Sequence, residues 1–332
     1  MSCELKEADA RQPELREGLV LRAVNGLYLV QIDTEGPVVQ LQCSLRGNLK
    51  KSFQYSTSAS TPRRVTSTRR HFARDPVAIG DRVRVQALST GSGVIEEILP
   101  RHSRFERAAF GGRAQTMVSN LDQLAIVFAC AEPRPDLYRL DRWLVTAECH
   151  GLSPLIVANK RDLVEEQEFQ AAFCEYLELG YRVIESSAVD EVGLQEVREA
   201  LRGRITAFTG PSGVGKSSLL NALQPGLGLI TGELGQITFK GRHTTTTREL
   251  IPLSFGGWAA DTPGLRQLEF LSLDEEDILN GFVECRSLPA PACRFPNCRH
   301  QTEPGCRILQ AVQDEVMSAR RYRSLIELMK SA

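Results

Sequence analysis

The segment Gly210-Pro-Ser-Gly-Val-Gly215-Lys216-Ser217 decides the fold class, because it fits the pattern GxxxxGK[ST]. An apolar run over residues 205–208 precedes it, and a helix-forming stretch over residues 218–223 follows it. Glycines in such a loop let backbone N–H groups point at phosphates, and the helix N-terminus adds the positive end of its dipole. The segment therefore predicts a phosphate-binding loop between a strand and a helix.

Two side chains of this loop carry defined chemistry. Lys216 is expected to reach the β- and γ-phosphates and to assist catalysis, and the Ser217 hydroxyl is expected to bind Mg²⁺. A glycine-rich turn that matches by chance is the alternative, and the motif alone does not separate GTPases from ATPases. The residues predicted to contact nucleotide here are Gly210, Pro211, Ser212, Gly213, Val214, Gly215, Lys216, Ser217 and Ser218.

A second motif, Asn159-Lys160-Arg161-Asp162, fits NKxD and follows the apolar run 155–158. The Asp162 carboxylate can accept two hydrogen bonds from the adjacent N1–H and N2–H₂ groups of guanine, whereas adenine offers no such pair. Asn159 would brace the loop, and the aliphatic stem of Lys160 would cover the base plane. Polar tetrapeptides after strands are common, so this motif gains weight only beside the others.

Ser187-Ala188 follows a further strand, at residues 182–184, and a backbone N–H near Ala188 is expected to bond guanine O6.

Asp261-Thr-Pro-Gly264 fits DxxG. Asp261 would hold Mg²⁺ through water, and the Gly264 amide would sense the γ-phosphate. An ordinary Pro-Gly turn is the alternative for this last motif.

All four motifs follow predicted strands, and ligands of open α/β sheets bind at the carboxyl ends of the strands. Helical periodicity over residues 137–149, 166–178 and 194–201 alternates with these strands, which predicts a mostly parallel α/β sheet. The order along the chain is NKxD, SA, P-loop, DxxG, whereas most GTPases begin with the P-loop. We therefore predict a circularly permuted domain, since permutation moves the termini and keeps the strand ends in place.

Residues 241–248, Gly-Arg-His-Thr-Thr-Thr-Thr-Arg, form the predicted switch between the P-loop and DxxG. We favour Thr245 as the threonine that coordinates Mg²⁺, although its neighbours are not excluded. Leu265 stands where many GTPases place a water-orienting glutamine, and a leucine cannot orient water. His243 is the nearest polar candidate for that catalytic role; the alternative is a surface histidine.

The cysteines near the C-terminus follow the pattern Cys293-x₄-Cys298-x-His300-x₅-Cys306. Three thiolates and one imidazole are a ligand set for tetrahedral Zn²⁺, so we predict one closed, structural zinc site. Disulfides are the alternative, but the imidazole argues against them. Cys285 lies just outside the pattern, either as a competing ligand or as a core thiol.

Residues 17–105 contain several short alternating strands, which predict a small β-barrel. Residues 50–74 are rich in Ser, Thr and Arg, and we expect a long basic loop there that grips RNA phosphates. The alternative is an ordinary solvated loop. An acidic tail over residues 1–16 precedes the barrel.

The composition excludes several classes of protein. The chain has 332 residues, a formal net charge of -1 and 42% hydrophobic residues, which suits two or three folded domains. Its sequence has no apolar run long enough for a membrane span and no basic-then-apolar N-terminal signal. Nine cysteines, an odd number, without such a signal favour a reducing compartment and a metal site over disulfides, so we expect a cytoplasmic protein. We also expect a monomer.

Together the barrel, NKRD, SSA, GPSGVGKSS, GRHTTTT, DTPGL and the zinc pattern resemble the RsgA family, over about residues 17–325. The resemblance implies an OB-fold barrel (17–105), a permuted GTPase domain (106–270) and an α-rich zinc domain (271–332). It also implies Mg²⁺ with GTP as the substrate, and a role for His243 in hydrolysis. The implied partners are the 30S ribosomal subunit and its 16S rRNA: the family acts late in small-subunit maturation, and the subunit stimulates its GTPase.

Two other functions stay open at this stage. The chain could be an RNA-binding module for which GTP is only a structural ligand, or an ATPase in nucleic-acid processing. In the favoured hypothesis, the chain is an assembly GTPase, and GTP hydrolysis releases it from the subunit.

Overall fold

The structure is a computed structural model that describes residues 14–47, 51–55, 65–70, 76–89, 91–108, 114–227, 249–261, 273–286, 288 and 293–331. The chain divides into two compact units between His102 and Ser103. Among the described residues, no helix combines the length and the apolar character needed to cross a membrane.

The described part of the first unit consists mainly of β-strands. Its strands are β1 (Leu15–Val24), β2 (Leu27–Ile32), β3 (Val39–Leu45), β4 (Lys51–Tyr55), β5 (Val65–Arg70), β6 (Arg82–Ser89) and β7 (Ser92–Ile98). Strands β1, β2 and β3 form an antiparallel meander, β3 pairs with β7 in parallel, and β6 pairs with both β7 and β1. This pairing closes a five-stranded barrel, so the predicted OB-fold is confirmed.

Alternation of apolar and polar residues explains why these strands close on one core. The apolar positions of β1, β2, β3, β6 and β7 point inward and pack against each other, among them Tyr28, Val30, Val83, Val85 and Ile95. The barrel begins slightly earlier than expected, because Leu15 and Arg16, assigned to the acidic tail, already pair with β6.

The predicted loop over residues 50–74 is wrong in part. Strands β4 and β5 pair antiparallel as a two-stranded hairpin, from Lys51 opposite Arg70 to Tyr55 opposite Val65. The backbone pairing of such a ribbon requires no apolar period, and its β-branched and aromatic residues suit an extended backbone. The absence of a period in the sequence therefore did not exclude strands.

The second unit combines a sheet with flanking helices. It contains β8 (Arg104–Ala108), β9 (Ala114–Ser119), β10 (Gln123–Ala129), α1 (Leu137–Cys149), β11 (Ser153–Asn159), α2 (Glu166–Glu178), β12 (Arg182–Glu185), α3 (Leu194–Leu201), β13 (Ile205–Thr209), α4 (Lys216–Leu223), β14 (Glu249–Pro252), β15 (Trp258–Asp261), α5 (Glu275–Gly281), α6 (Val283–Arg286), α7 (Arg307–Gln313) and α8 (Ala319–Lys330). Strands β8 and β9 form a separate hairpin.

The sheet has the strand order β12-β11-β10-β13-β15-β14. The first five strands are parallel, and β14 is antiparallel to β15. All seven residues of β10 are buried, as expected for a strand covered on both faces. This topology confirms the predicted α/β fold class and brings the carboxyl ends of β10, β11, β12, β13 and β15 to one edge.

The C-terminal helices share a core with the sheet domain. Ile278, Phe282, Ile308 and Leu325 pack with Val145 of α1 in one apolar cluster. Helix α8 begins at Ala319, because Ser318 caps it by accepting a hydrogen bond from the Arg321 backbone N–H.

A buried ion network also joins α8 to the sheet domain. Fully buried Arg321 donates to Asp141 of α1 at 2.7 Å and to both oxygens of Glu284 at 2.7 and 2.8 Å. Arg320 donates to Asp141 and to Glu175 of α2, each at 2.8 Å.

Candidate nucleotide-binding site and metal centre

The loop between β13 and α4 can be made only with glycine at its two tightest points. Gly210 has a φ of 142°, and a Cβ there would lie 2.0 Å from the Val127 carbonyl oxygen of β10. Gly215 has a φ of 91°, and a Cβ there would lie 2.4 Å from Asn159 Nδ2. Because side chains are excluded, the loop packs directly on β10 and on the end of β11.

The Lys216 side chain folds back over this loop. Its Nζ donates to the carbonyl oxygens of Gly210 at 2.7 Å and Pro211 at 2.6 Å, which places the ammonium group over the loop. Ser217 and Ser218 lie in the first turn of α4, where the backbone N–H groups have no partner within the helix. Val214 is buried, whereas Ser212 and Gly213 are exposed. This arrangement offers positive charge and N–H donors to an anion.

Asn159, at the end of β11, joins the P-loop to the loop that follows β12. The residue is buried at the end of β11, and its Nδ2 donates to the Val214 carbonyl at 2.9 Å. Its Oδ1 accepts from the Ser186 hydroxyl at 3.2 Å. One amide therefore links segments that lie 55 and 27 positions away in sequence.

Lys160 extends from the same turn to a loop that the sequence motifs did not reveal. It has a φ of 59°, and its Nζ donates to the carbonyl oxygen of Glu132, between β10 and α1. A Cβ on Gly213 would lie 3.8 Å from Pro133 Cδ of that loop. The position of Glu132 and Pro133 after the apolar run of β10 was the only available sequence signal for them.

Asp162 lies in a short 3₁₀ turn, Arg161–Leu163, and its side chain is exposed. Its carboxylate accepts no hydrogen bond from the described part of the chain. Ser187 is buried: its N–H donates to Val192 at 3.0 Å, and its Oγ accepts from the Asp190 N–H at 3.0 Å. Ala188, half-buried, follows directly.

The DxxG motif is only partly described. Asp261 ends β15, next to β13 and its P-loop, with its Cα opposite Glu249 of β14. The predicted His243, Thr245 and Gly264 lie outside the described residues.

The predicted zinc ligands converge in the C-terminal region. The ligand atoms of Cys293, Cys298, His300 and Cys306 all lie within 4.8 Å of one another. His300 Nδ1 is 3.5 Å from Cys293 Sγ and 3.4 Å from Cys306 Sγ, and these two sulfurs are 4.0 Å apart. Tetrahedral zinc would place sulfur ligands about 3.8 Å apart and sulfur and nitrogen about 3.6 Å apart. The donor set and its spacing thus fit a zinc ion.

Burial at this cluster disfavours charge on the ligand groups. Burial raises the pKa of the Cys298 thiol to about 12, raises that of Cys306, and lowers the pKa of His300. A bound cation would offset this cost, because zinc is bound by deprotonated thiols and displaces their protons. Cys285 lies outside the cluster, and burial raises its pKa to about 12 as well, which is typical of a core thiol.

Surrounding residues hold the ligand loop in shape. Glu303 accepts hydrogen bonds from the backbone N–H groups of Arg299, Gln301 and Thr302 at 2.9, 2.9 and 3.0 Å, on either side of His300. These bonds lower the pKa of Glu303 to about 2. The Tyr322 hydroxyl of α8 donates to the His300 carbonyl at 2.7 Å.

A parallel sheet with a P-loop after β13, preceded in the chain by NKxD and followed by DxxG, defines a circularly permuted P-loop GTPase. Residues 98–271 match the profile of the RsgA GTPase family. With the close relatives reported next, this match shows that the chain belongs to the RsgA family.

Relatives and solved structures agree with this assignment. The chain is 38% identical to a "Small ribosomal subunit biogenesis GTPase RsgA" of Moorella thermoacetica, over 94% of this chain and 96% of that protein. A protein of the same name from Gemmatimonas aurantiaca is 43% identical over 76% of this chain and 83% of its own length. Among solved structures, YjeQ from Thermotoga maritima matches with a TM-score of 0.72 and 30% identity, over 96% of this chain and 98% of that one. YloQ, described as a circularly permuted GTPase, matches with a TM-score of 0.70 and 29% identity, over 98% and 97% of the two chains.

Proposed function

We propose that this GTPase binds the small (30S) ribosomal subunit and assists its late maturation. It hydrolyses GTP to GDP and phosphate, the subunit stimulates the hydrolysis, and hydrolysis times its release. The observation that carries the nucleotide part is the Asn159–Val214 hydrogen bond, because it holds the guanine-type motif against the phosphate loop. The names of the relatives support the ribosomal part.

The guanine end of the site is assigned to two loops. The exposed Asp162 carboxylate accepts from guanine N1–H and N2–H₂, and the backbone N–H near Ala188 donates to O6. Asn159 braces the loops, and the stem of Lys160, which spans to Glu132, covers the base. Arg161 completes the motif.

The phosphate end of the site is assigned to the loop from Gly210 to Ser218. Its N–H groups and the Lys216 ammonium neutralise the phosphate oxygens. Lys216 leaves the carbonyls of Gly210 and Pro211 when a phosphate takes their place, so nucleotide binding opens these contacts.

Hydrolysis involves a second group of residues. Ser217, Thr245 and Asp261 hold Mg²⁺, which supplies charge neutralisation for the β- and γ-phosphates when bound. The Gly264 amide senses the γ-phosphate. His243 orients the attacking water, since Leu265 offers no hydrogen-bonding group for that purpose.

The remaining parts anchor the protein on the subunit. Cys293, Cys298, His300 and Cys306 hold one structural zinc ion that fixes the C-terminal helices. The OB-fold barrel and its basic segment 50–74 contact 16S rRNA through phosphates, because barrels of this type bind oligonucleotides. The protein acts as a cytoplasmic monomer.

The test is GTP turnover with and without purified 30S subunits, with 50S subunits as the control for bulk rRNA. We expect 30S subunits alone to raise turnover, and Lys216→Ala to abolish the increase. Equal turnover in all three conditions would overturn the proposal. The same assay with ATP in place of GTP tests the ATPase alternative, which requires turnover of ATP. Co-sedimentation with 30S subunits, compared between a non-hydrolysable GTP analogue and GDP, tests whether hydrolysis precedes release.

A further inference from the structure

Arg161 occupies the variable position of NKxD, yet its side chain makes more contacts than its neighbours in the motif. Its Nε donates to Glu185 at 2.6 Å, one terminal nitrogen donates to Glu166 at 2.6 Å, and the other donates to the Val164 carbonyl at 2.6 Å. The guanidinium carbon also lies 5.2 Å from the centre of the Phe169 ring. We call Arg161, Glu185 and Glu166 the Arg161 cluster.

The Arg161 cluster connects three elements that surround the guanine end of the site. Arg161 lies in the 3₁₀ turn after β11, Glu185 is the last residue of β12, and Glu166 opens α2. The Arg161 backbone N–H donates to the Ser186 carbonyl at 3.0 Å, which adds a main-chain link between the same turn and β12.

Asp162 depends on this turn for its orientation. The carboxylate is exposed and accepts no hydrogen bond within the described ranges, so the backbone of the turn alone aims it. Two backbone hydrogen bonds close that turn, from the Leu163 N–H to the Lys160 carbonyl at 3.1 Å and from the Val164 N–H to the Arg161 carbonyl at 3.4 Å. The contacts of Arg161 add further fixed points to this turn, beside the bond from Lys160 Nζ to the Glu132 carbonyl.

The same cluster also fixes the second guanine loop. Glu185 is followed directly by Ser186, Ser187 and Ala188, so a bond to Glu185 sets the distance between Asp162 and the Ala188 N–H. The two loops must meet adjacent groups on the same edge of one rigid base, and a displacement of either weakens both sets of hydrogen bonds.

We propose that Arg161 is a positioning residue for guanine recognition: its guanidinium holds the Asp162 turn and the Ala188 loop at the spacing that one guanine base requires. This inference rests on the proposed function of the site. The planar guanidinium suits the role, because its donors leave in fixed directions and stack on an aromatic ring.

The exposed carboxylates of the Arg161 cluster make it possible to distinguish a positioning role from a contribution to folding stability. The side chains of Glu185 and Glu166 are 42% and 63% exposed, and ion pairs with exposed partners contribute little to folding. Loss of Arg161 should therefore alter base selectivity much more than it alters the unfolding temperature.

The test compares the dissociation constants of the full-length protein for GDP and IDP, since hypoxanthine lacks the N2 amine that Asp162 would bind. Hydrogen bonds to charged groups change affinity by roughly ten- to a hundredfold, so the wild type should prefer GDP by that factor. We expect Arg161→Met and Glu185→Gln each to reduce this preference at least about fivefold. Arg182→Met, which removes an exposed arginine from the other end of β12, is the matched control and should leave the preference unchanged.

Three results would overturn the inference. In the first, both variants keep the wild-type GDP/IDP ratio. In the second, GDP and IDP binding weaken equally with a large fall in unfolding temperature, as a purely structural role predicts. In the third, the wild-type protein binds GDP no more tightly than IDP or ADP, and the proposed guanine site then fails too. If Arg161→Met does not fold, Glu185→Gln and Arg161→Lys decide the outcome.

Discussion

Replacing Arg321 by Met should destabilise the second unit more than any other single arginine change in α8. Arg321 is fully buried between Asp141 and Glu284, and its removal leaves two buried carboxylates without their shared cation. Breaking a buried ion network in this way costs about 3–5 kcal/mol of unfolding free energy. Asp141 keeps its bonds to Arg320 and to the Tyr176 hydroxyl at 2.8 Å, so we expect a loss at the lower end, about 3 kcal/mol.

In a unit of this size each kcal/mol shifts the unfolding midpoint by about 2–4 °C, so Arg321→Met should lower it by roughly 6–12 °C. Circular dichroism and calorimetry with zinc present measure this shift. Arg323→Met, two positions along the same helix but exposed, is the matched control and should change it by about 1–2 °C at most. Equal shifts for the two variants would refute the assigned role of the network.

Two further predictions concern the loops and the metal. Gly215→Ala would place a Cβ 2.4 Å from Asn159 Nδ2 at a φ of 91°. Such strain costs about 1–3 kcal/mol, so we expect the affinity for GDP to fall at least about tenfold. Gly203→Ala is the control, because Gly203 also has a positive φ but has nothing within 4 Å of a Cβ; this variant should keep its GDP affinity, and equal affinities in the two variants would contradict the argument. Metal analysis should find one zinc per chain, a chelator should lower the unfolding temperature, and Cys306→Ser should lose the metal while Cys285→Ser keeps it; zinc loss in Cys285→Ser would contradict the assigned ligand set.

Much of the fold could be predicted because local signals and tertiary structure agree. The periodicity over residues 137–149, 166–178 and 194–201 gave the bounds of α1, α2 and α3, since each helix has one apolar face against the sheet. The parallel strands were equally clear as short apolar runs. The hairpins β4–β5 and β8–β9 were missed, because neither carries a periodic apolar face long enough to register.

Side-chain partners distant in sequence could not be predicted. Arg321 and Asp141 are 180 positions apart, and nothing in the local sequence of either indicates the other. The same holds for Lys160 with Glu132 and for Arg161 with Glu185, which meet only after the strands are ordered in the sheet. The motifs predicted which loops converge, whereas the contacts that set their spacing required the structure.

The most direct measurement is the affinity of wild-type protein and of Asp162→Asn for GDP and for xanthosine diphosphate. Asparagine presents an N–H₂ donor where aspartate presents only acceptors, and xanthine carries a carbonyl where guanine carries an amine. We predict that the wild type prefers GDP and that the variant prefers xanthosine diphosphate. An Asp162→Asn protein that still selects GDP would contradict the placement of guanine between these loops.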